Sequence, residues 1–302
     1  MTGTTVTDSP AGPATGRFAP SPTGALHLGS LATATASFLD ARHHGGRWLL
    51  RIEDLDRERE VPGAADGILR DLENLGFEWD GPVVYQSRRL ALYQEAAEEL
   101  AQRGLAYRCS CTRRDLGATD DAGGYPGTCR AGPQRPGATA VRFRADLNPV
   151  KPFVDRLQGP VDVDPSALGD PIIRRRDGIY AYQLAVVVDD ANQGVTDVVR
   201  GSDLLPSSCW QRALQRALGL PEPRYAHLPL VCEPDGAKLS KSARTVGLQG
   251  GSGPERVWRV LTLLRQAPPP SLAKAPLPEL WSWAISYWRP GALRGVASLP
   301  AD

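Results

Sequence analysis

A chain of 302 residues with 35 basic and 34 acidic side chains, 41% of it hydrophobic, has the composition of an ordinary globular protein of one or two domains. Its formal charge of +1 does not mark a nucleic-acid binder, though it leaves room for a local basic patch. No apolar run approaches the ~20 residues that span a bilayer, and five cysteines, an odd number with tight local spacing, fit a reducing cytosol and a metal site better than a disulfide framework.

The first 16 residues, MTGTTVTDSPAGPATG, lack the basic start and apolar core of a secretory signal and read as a disordered tail of a cytoplasmic protein. Order begins near Arg17. The Ala-, Leu- and Phe-rich stretch 31–42 suits a helix, and RWLLRIE, 47–53, a strand. Pro62 opens a helical pattern with Ile68, Leu69, Leu72 and Leu75 on one face, closed by Gly76. A second helix is expected over 89–104, with Leu92, Ala96 and Leu100 at helical spacing. From 107 to 170 the chain holds three cysteines, much Gly and Pro, and short strand candidates such as AVRFRA, so a β-rich insertion is expected there. AYQLAVVVDD, 181–190, has an apolar centre that suits a strand or helix segment buried on both sides. A helix over 208–218 follows. Residues 246–302 read as a Gly/Ser linker and a short helical C-terminal segment, with one helix over 257–265 and a second after a Pro-rich break. Alternating strands and helices predict an α/β core with a parallel sheet, made of residues 17–106 and 171–245.

Two motifs stand at opposite ends of that core: RFAPSPTGALHLGS at 17–30 and KLSKS at 238–242. Together they resemble the HIGH and KMSKS signatures of the class I aminoacyl-tRNA synthetases. The resemblance implies a Rossmann-like catalytic domain that uses ATP with Mg2+ to form an aminoacyl adenylate. In that reaction a carboxylate attacks the α-phosphate and expels pyrophosphate, so the protein's task is positioning and neutralising charge. His27 can donate to phosphate oxygens, and Gly29 leaves space for a nucleotide against backbone. The helix after them aims its N-terminal N–H groups at the anion. Lys238 and Lys241 can neutralise the triphosphate tail, Lys241 being the lysine that the family's motif matches to that role.

RFAPSPTG, RIEDLD at 51–56 and the block AYQLAVVVDDANQGVTDVVRGSDLL resemble the glutamyl-tRNA synthetases in particular, over nearly all of 17–242. By that resemblance Arg17, Ala19 and Ser21 line the amino-acid pocket, completed by Glu53, Tyr182 and Arg200. The chemistry suits L-glutamate. Arginine offers planar, bidentate donors to a side-chain carboxylate, Glu53 an acceptor for the ammonium, and Tyr182 a hydroxyl and a flat wall.

Cys109, Cys111 and Cys129 lie in YRCSCTRRDL and GGYPGTCR, a spacing that suits a small structural zinc site. Zinc takes four ligands; the resemblance suggests Tyr125 as the fourth, with a water or Asp115 as alternatives. The competing reading is three reduced cysteines in a strand and a turn. Cys209 and Cys232 stand alone and read as small buried side chains.

About 60 residues follow Ser242, too few for the helical anticodon-binding region that glutamyl-tRNA synthetases carry there. The chain resembles instead a truncated branch of the family, which implies transfer of glutamate to queuosine in the anticodon of tRNA(Asp). A monomer with ATP, L-glutamate and queuosine-modified tRNA(Asp) as partners is expected, with no membrane association. The rivals are a shortened glutamyl-tRNA synthetase that charges tRNA(Glu) and a non-catalytic tRNA-binding paralogue; intact His27, Gly29, Lys238 and Lys241 oppose the latter. Arg174, Arg175 and Arg176 read either as tRNA contacts or as a solvated arginine run.

Overall fold

The computed structural model describes residues 13–116, 124–232 and 251–301. Strand β1 (Thr15–Phe18) pairs in parallel with β2 (Arg47–Ile52), which pairs in parallel with β3 (Val84–Tyr85). The crossover from β1 to β2 is helix α1 (Leu28–His43), buried on nearly every face, with alanines that let it lie close to the sheet. Helix α2 (Ala64–Asn74) presents Ile68 and Leu72 to the core, as the spacing predicts. It ends where Gly76 takes φ 76°, a left-handed position that favours glycine. Helix α3 (Leu90–Gln102) follows β3.

The region after α3 forms an antiparallel sheet of β4 (Ala106–Cys109), β5 (Ala140–Phe143) and β8 (Ile172–Arg174). The short helix α4 (Arg113–Leu116) follows β4. Strands β6 (Phe153–Asp155) and β7 (Gly159–Val161) form a separate hairpin that turns away from that sheet. Arg156 N–H donates to Tyr225 O at 2.9 Å, and the Arg156 side chain bonds both oxygens of Asp40 on α1. Part of the expected insertion is therefore bound to the parallel core by buried charges.

The run 181–190 is a helix: α5 (Tyr182–Asn192) is buried against α3 and against α6 (Leu205–Ala217). Between them, β9 (Asp197–Gly201) pairs in parallel with β10 (Arg224–Leu228). β1 and β9 meet at their starts, where Thr15 N–H donates to Thr196 Oγ1 and Thr196 N–H donates to Thr15 O, both at 2.9 Å. Thr15 and Gly16 thus belong to the sheet and not to the expected 1–16 tail. Residues 1–12 lie outside the described residues.

The C-terminal segment is not an appendage. Helices α7 (Gly253–Leu263) and α8 (Leu277–Ser286) pack on α1, and β12 (Ser298–Pro300) pairs in parallel with β11 (Leu230–Cys232). Trp281 stacks its edge on Phe38 at 5.0 Å and lies 4.8 Å from Phe77. Its indole N–H donates to Leu75 O at 2.9 Å, so the aromatic core of the α/β layer is completed from the far end of the chain. Among the described residues, no helix is long and apolar enough to cross a membrane.

Candidate active site and metal centre

A cleft of about 960 Å3 opens between the carboxyl ends of β1 and β9. In an open parallel sheet these ends, where successive crossovers diverge, are the natural ligand-binding crevice. Arg17, Ala19, Ser21, His27, Gly29, Glu53, Tyr182 and Arg200 all line it. Lys238 and Lys241 lie outside the described residues.

The loop from β1 to α1 is shaped by its prolines and pinned to β2. Glu53 N–H donates to Pro20 O at 3.0 Å, and Val61 N–H donates to Pro22 O at 2.9 Å. His27 is the N-cap of α1. Its Nδ1 accepts from Ser30 N–H at 3.2 Å, which leaves the proton of a neutral ring on Nε2, 2.9 Å from Ser30 Oγ. Nε2 is thus a fixed donor beside the positive end of the helix. A Cβ on Gly29 would meet the His27 ring at 3.3–3.4 Å. The glycine therefore preserves the imidazole's position as well as space for a ligand.

Beneath the cleft floor runs a buried ion network. Arg17 Nε faces Asp190 at 3.3 and 3.4 Å, and Arg51 Nη1 bonds the same carboxylate at 2.8 Å. Arg51 also reaches Glu53 at 3.4 Å and Asp189 at 3.8 Å. Asp189 in turn accepts from Gln86, Arg89 and Tyr93. Burial raises Asp190, but Arg17 and Arg51 outweigh it and hold its carboxyl below the usual range. Glu53 behaves in the opposite way: burial pushes it up to about 6, against the pull of Arg51 and Arg17. An incoming ammonium would add to the pull of Arg51 and Arg17 and bring this carboxyl down toward its ionised form.

Arg200 differs from Arg17. It is 4% exposed, and every hydrogen-bond partner it has is uncharged or a neutral ring: Tyr182 Oη at 3.0 Å, Ser208 Oγ at 2.6 Å, Leu204 O at 3.4 Å and His227 Nε2 at 3.1 Å. Among the described residues it forms no ion pair. Asp190 acts on it from a distance, but no described carboxylate pairs with it directly, and a buried guanidinium so placed on a cleft is a site for an anionic group. Asp190, Arg51, Ser208 and His227 escaped the sequence reading. The one local signal was the acidic pair Asp189–Asp190 closing an otherwise apolar run.

The second candidate site lies at the tip of β4. Sγ atoms of Cys109, Cys111 and Cys129 all lie within 4.8 Å of one another, a group able to hold a metal ion. Tyr125 Oη stands 3.3 Å from Cys109 Sγ and 3.6 Å from Cys111 Sγ, and Cys111 and Cys129 Sγ are 3.5 Å apart. These are the separations of ligands sharing one small tetrahedral ion. Tyr125 is held in place from two sides. Its backbone bridges Gly169, and the Arg142 guanidinium lies 3.8 Å above its ring; burial and the neighbouring thiols of Cys109, Cys129 and Cys111 push the phenol well above its ordinary pKa, so a bound cation would have to displace its proton. Burial raises the Cys129 thiol, but hydrogen bonds from Tyr125, Ser110 and the Gln134 backbone prevail and bring it down to about 6, toward the thiolate a metal requires. Asp115 is committed elsewhere, to Thr112 and to Arg135 at 2.8 Å. Cys209 and Cys232 are buried and distant from this group.

The arginine run serves the fold. Arg176 donates to Ser110 O and Cys111 O, both at 2.9 Å, and Arg175 bonds Asp56 at 2.7 Å and Asp177 at 2.6 Å. Arg174 lies 5.3 Å over Tyr180. The turn after β8 thus ties the cysteine loop to the RIEDLD segment that carries Glu53.

Residues 14–250 match the model of the catalytic domain of class I tRNA synthetases for E and Q. The chain belongs to this family. It is 50% identical over 286 residues to the glutamyl-Q tRNA(Asp) synthetase of Aromatoleum aromaticum, covering 93% of this chain and 90% of that protein. It is 50% identical over 289 residues to that of Pseudomonas aeruginosa, covering 95% and 97%. Among solved structures, a glutamate tRNA ligase from Elizabethkingia meningosepticum in complex with its amino acid superposes with a TM-score of 0.79 at 26% identity. That superposition covers 96% of this class I chain and 67% of the ligase.

Proposed function

We propose that this class I synthetase activates L-glutamate with ATP and transfers it to queuosine in the anticodon of tRNA(Asp). The observation that carries the glutamate half is Arg200, a buried guanidinium facing the cleft whose hydrogen-bond partners among the described residues are all neutral. The acceptor half is supported by 50% identity to glutamyl-Q tRNA(Asp) synthetases over nearly their full length, against 26% to a glutamate tRNA ligase.

In this reading the substrate's side-chain carboxylate binds Arg200 and Arg17, with Tyr182 as wall and Ala19 and Ser21 as the near edge. Glu53 receives the ammonium. ATP lies over Gly29, with His27 Nε2 donating to its phosphates and the first turn of α1 aimed at them. Mg2+ accompanies ATP and adds positive charge to the phosphates. Lys241, with Lys238, neutralises the leaving pyrophosphate. Cys109, Cys111, Cys129 and Tyr125 hold one structural Zn2+, and the protein works in the cytoplasm as a monomer.

Glutamate-dependent exchange between ATP and pyrophosphate, with magnesium, tests activation. The wild type should exchange, and Lys241→Ala should lose about 3 kcal/mol of transition-state stabilisation, seen in kcat. Full exchange by the variant removes Lys241 from the mechanism. Elemental analysis tests the metal: about one zinc per chain is expected. Cys109→Ser should weaken zinc retention and lower the thermal midpoint, whereas zinc-free protein of unchanged stability returns the cysteines to plain packing.

A further inference from the structure

Asp155, His227 and Ser208 form an acid–imidazole–hydroxyl chain that the proposed chemistry leaves without a role. Asp155 Oδ2 accepts from His227 Nδ1 at 2.6 Å, and His227 Nε2 lies 3.0 Å from Ser208 Oγ. The arrangement has the connectivity of a hydrolytic triad. It cannot act as one, because Asp155 is 1% exposed and His227 and Ser208 are 0% exposed, so no substrate or water reaches the hydroxyl. The imidazole and the hydroxyl turn instead to Arg200, whose Nε lies 3.1 Å from His227 Nε2 and whose Nη2 lies 2.6 Å from Ser208 Oγ.

We propose that Asp155 and His227 are positioning residues that fix the orientation of the Arg200 guanidinium for the substrate carboxylate, by locking the His227 ring in the tautomer that accepts at Nε2.

The geometry leaves one proton arrangement. An arginine Nε–H can only donate, so His227 Nε2 must accept, and the ring proton must sit on Nδ1. Asp155 enforces this, because an ionised carboxylate can only accept. Its other oxygen is itself held by three backbone N–H groups, of Leu157 at 3.0 Å, Gln158 at 2.9 Å and His227 at 3.1 Å, so the carboxylate cannot rotate away. Burial keeps the imidazole below its ordinary pKa, and hence neutral beside a guanidinium. The Tyr225 ring stacks on His227 at 5.9 Å and 13°, with Arg200 5.3 Å over the same Tyr225 ring. The guanidinium is thereby gripped along one edge by neutral acceptors. Among the described residues no carboxylate pairs with it directly, and Nη1 reaches Tyr182 at the cleft wall. An acidic partner at the position of His227 would hold Arg200 as firmly but would compete with the substrate anion.

This inference rests on Arg200 being the anchor for glutamate, and the tests separate the two. Asp155→Asn keeps the shape and one oxygen for the three backbone donors, but sets an amide N–H against Nδ1. The ring must then carry its proton on Nε2, against Arg200 Nε–H. In glutamate-dependent ATP–pyrophosphate exchange, this variant should raise KM for glutamate about tenfold with KM for ATP little changed, and the buried donor–donor contact should also lower the thermal midpoint. His227→Gln puts a carbonyl oxygen near the Nε2 position and has no tautomer, so in that background Asp155→Asn should add nothing further. The proposal is overturned if Asp155→Asn leaves KM for glutamate unchanged, or raises it equally in the His227→Gln background. If Asp155→Asn does not fold, His227→Leu, which removes the acceptor, decides alone: a rise confined to KM for glutamate supports the proposal, and an unchanged KM or equal rises for glutamate and ATP overturn it. Arg200→Ala with an unchanged KM for glutamate instead refutes the anchor reading itself.

Discussion

Glutamine should support ATP–pyrophosphate exchange about 10⁴-fold less efficiently than glutamate, measured as the ratio of kcat/KM values. The two substrates have nearly the same shape, so the discrimination must be electrostatic. Arg200 is withdrawn from water and surrounded by neutral partners. Arg17 faces Asp190, which it shares with Arg51, so its own charge is only partly met by that carboxylate. Glutamate supplies the missing anion; glutamine supplies a neutral amide whose N–H groups would face donors that need acceptors. A buried charge left in this way costs far more than the contact itself is worth. Aspartate keeps the charge but is one methylene shorter and should fail by a smaller factor. Exchange rates with glutamine within tenfold of those with glutamate would mean that the cleft binds its amino acid by some other group.

Arg200→Ala should lower kcat/KM for glutamate by about 10³-fold, the scale expected when one member of a buried, hydrogen-bonded charge pair is removed. Most of the loss should appear in KM for glutamate, since the guanidinium binds the end of the substrate remote from the reacting carboxylate. KM for ATP should stay near its wild-type value. Arg200→Lys should recover little, because an ammonium cannot donate at once to His227, Ser208, Tyr182 and a substrate carboxylate in one plane. A variant that binds glutamate normally but fails to turn over would instead place Arg200 at the phosphates.

Local chemistry explains how far the sequence could be read. The helices of 62–76 and 89–104 were legible because their apolar residues recur at helical spacing over a single buried face. The run 181–190 was ambiguous because α5 is buried on all sides, which erases the periodicity that separates helix from strand. Eight residues singled out in the sequence line one cleft: five come from β1, the loop after it and the start of α1, and Glu53, Tyr182 and Arg200 from the end of β2, the start of α5 and β9. The supporting residues were not legible. Asp155 and His227 are 72 residues apart, and His227 sits in a strand whose pattern is satisfied by any buried side chain. Equally hidden was the closure of the core by Trp281, which meets Leu75 across 206 residues of sequence.

The acceptor is decided by a single labelling experiment. Labelled glutamate, ATP and magnesium are incubated with the protein and, in parallel, with queuosine-containing tRNA(Asp), unmodified tRNA(Asp) and tRNA(Glu). An unpaired anticodon base can be splayed into a cleft and read by stacking and hydrogen bonds, and the queuosine cyclopentenediol offers hydroxyls able to attack the adenylate. Label should appear on queuosine-containing tRNA(Asp) alone, and its transfer should weaken as salt is raised, because the approach is through phosphates. Efficient charging of tRNA(Glu) at its terminal adenosine, or equal labelling of tRNA(Asp) with and without queuosine, would contradict the account.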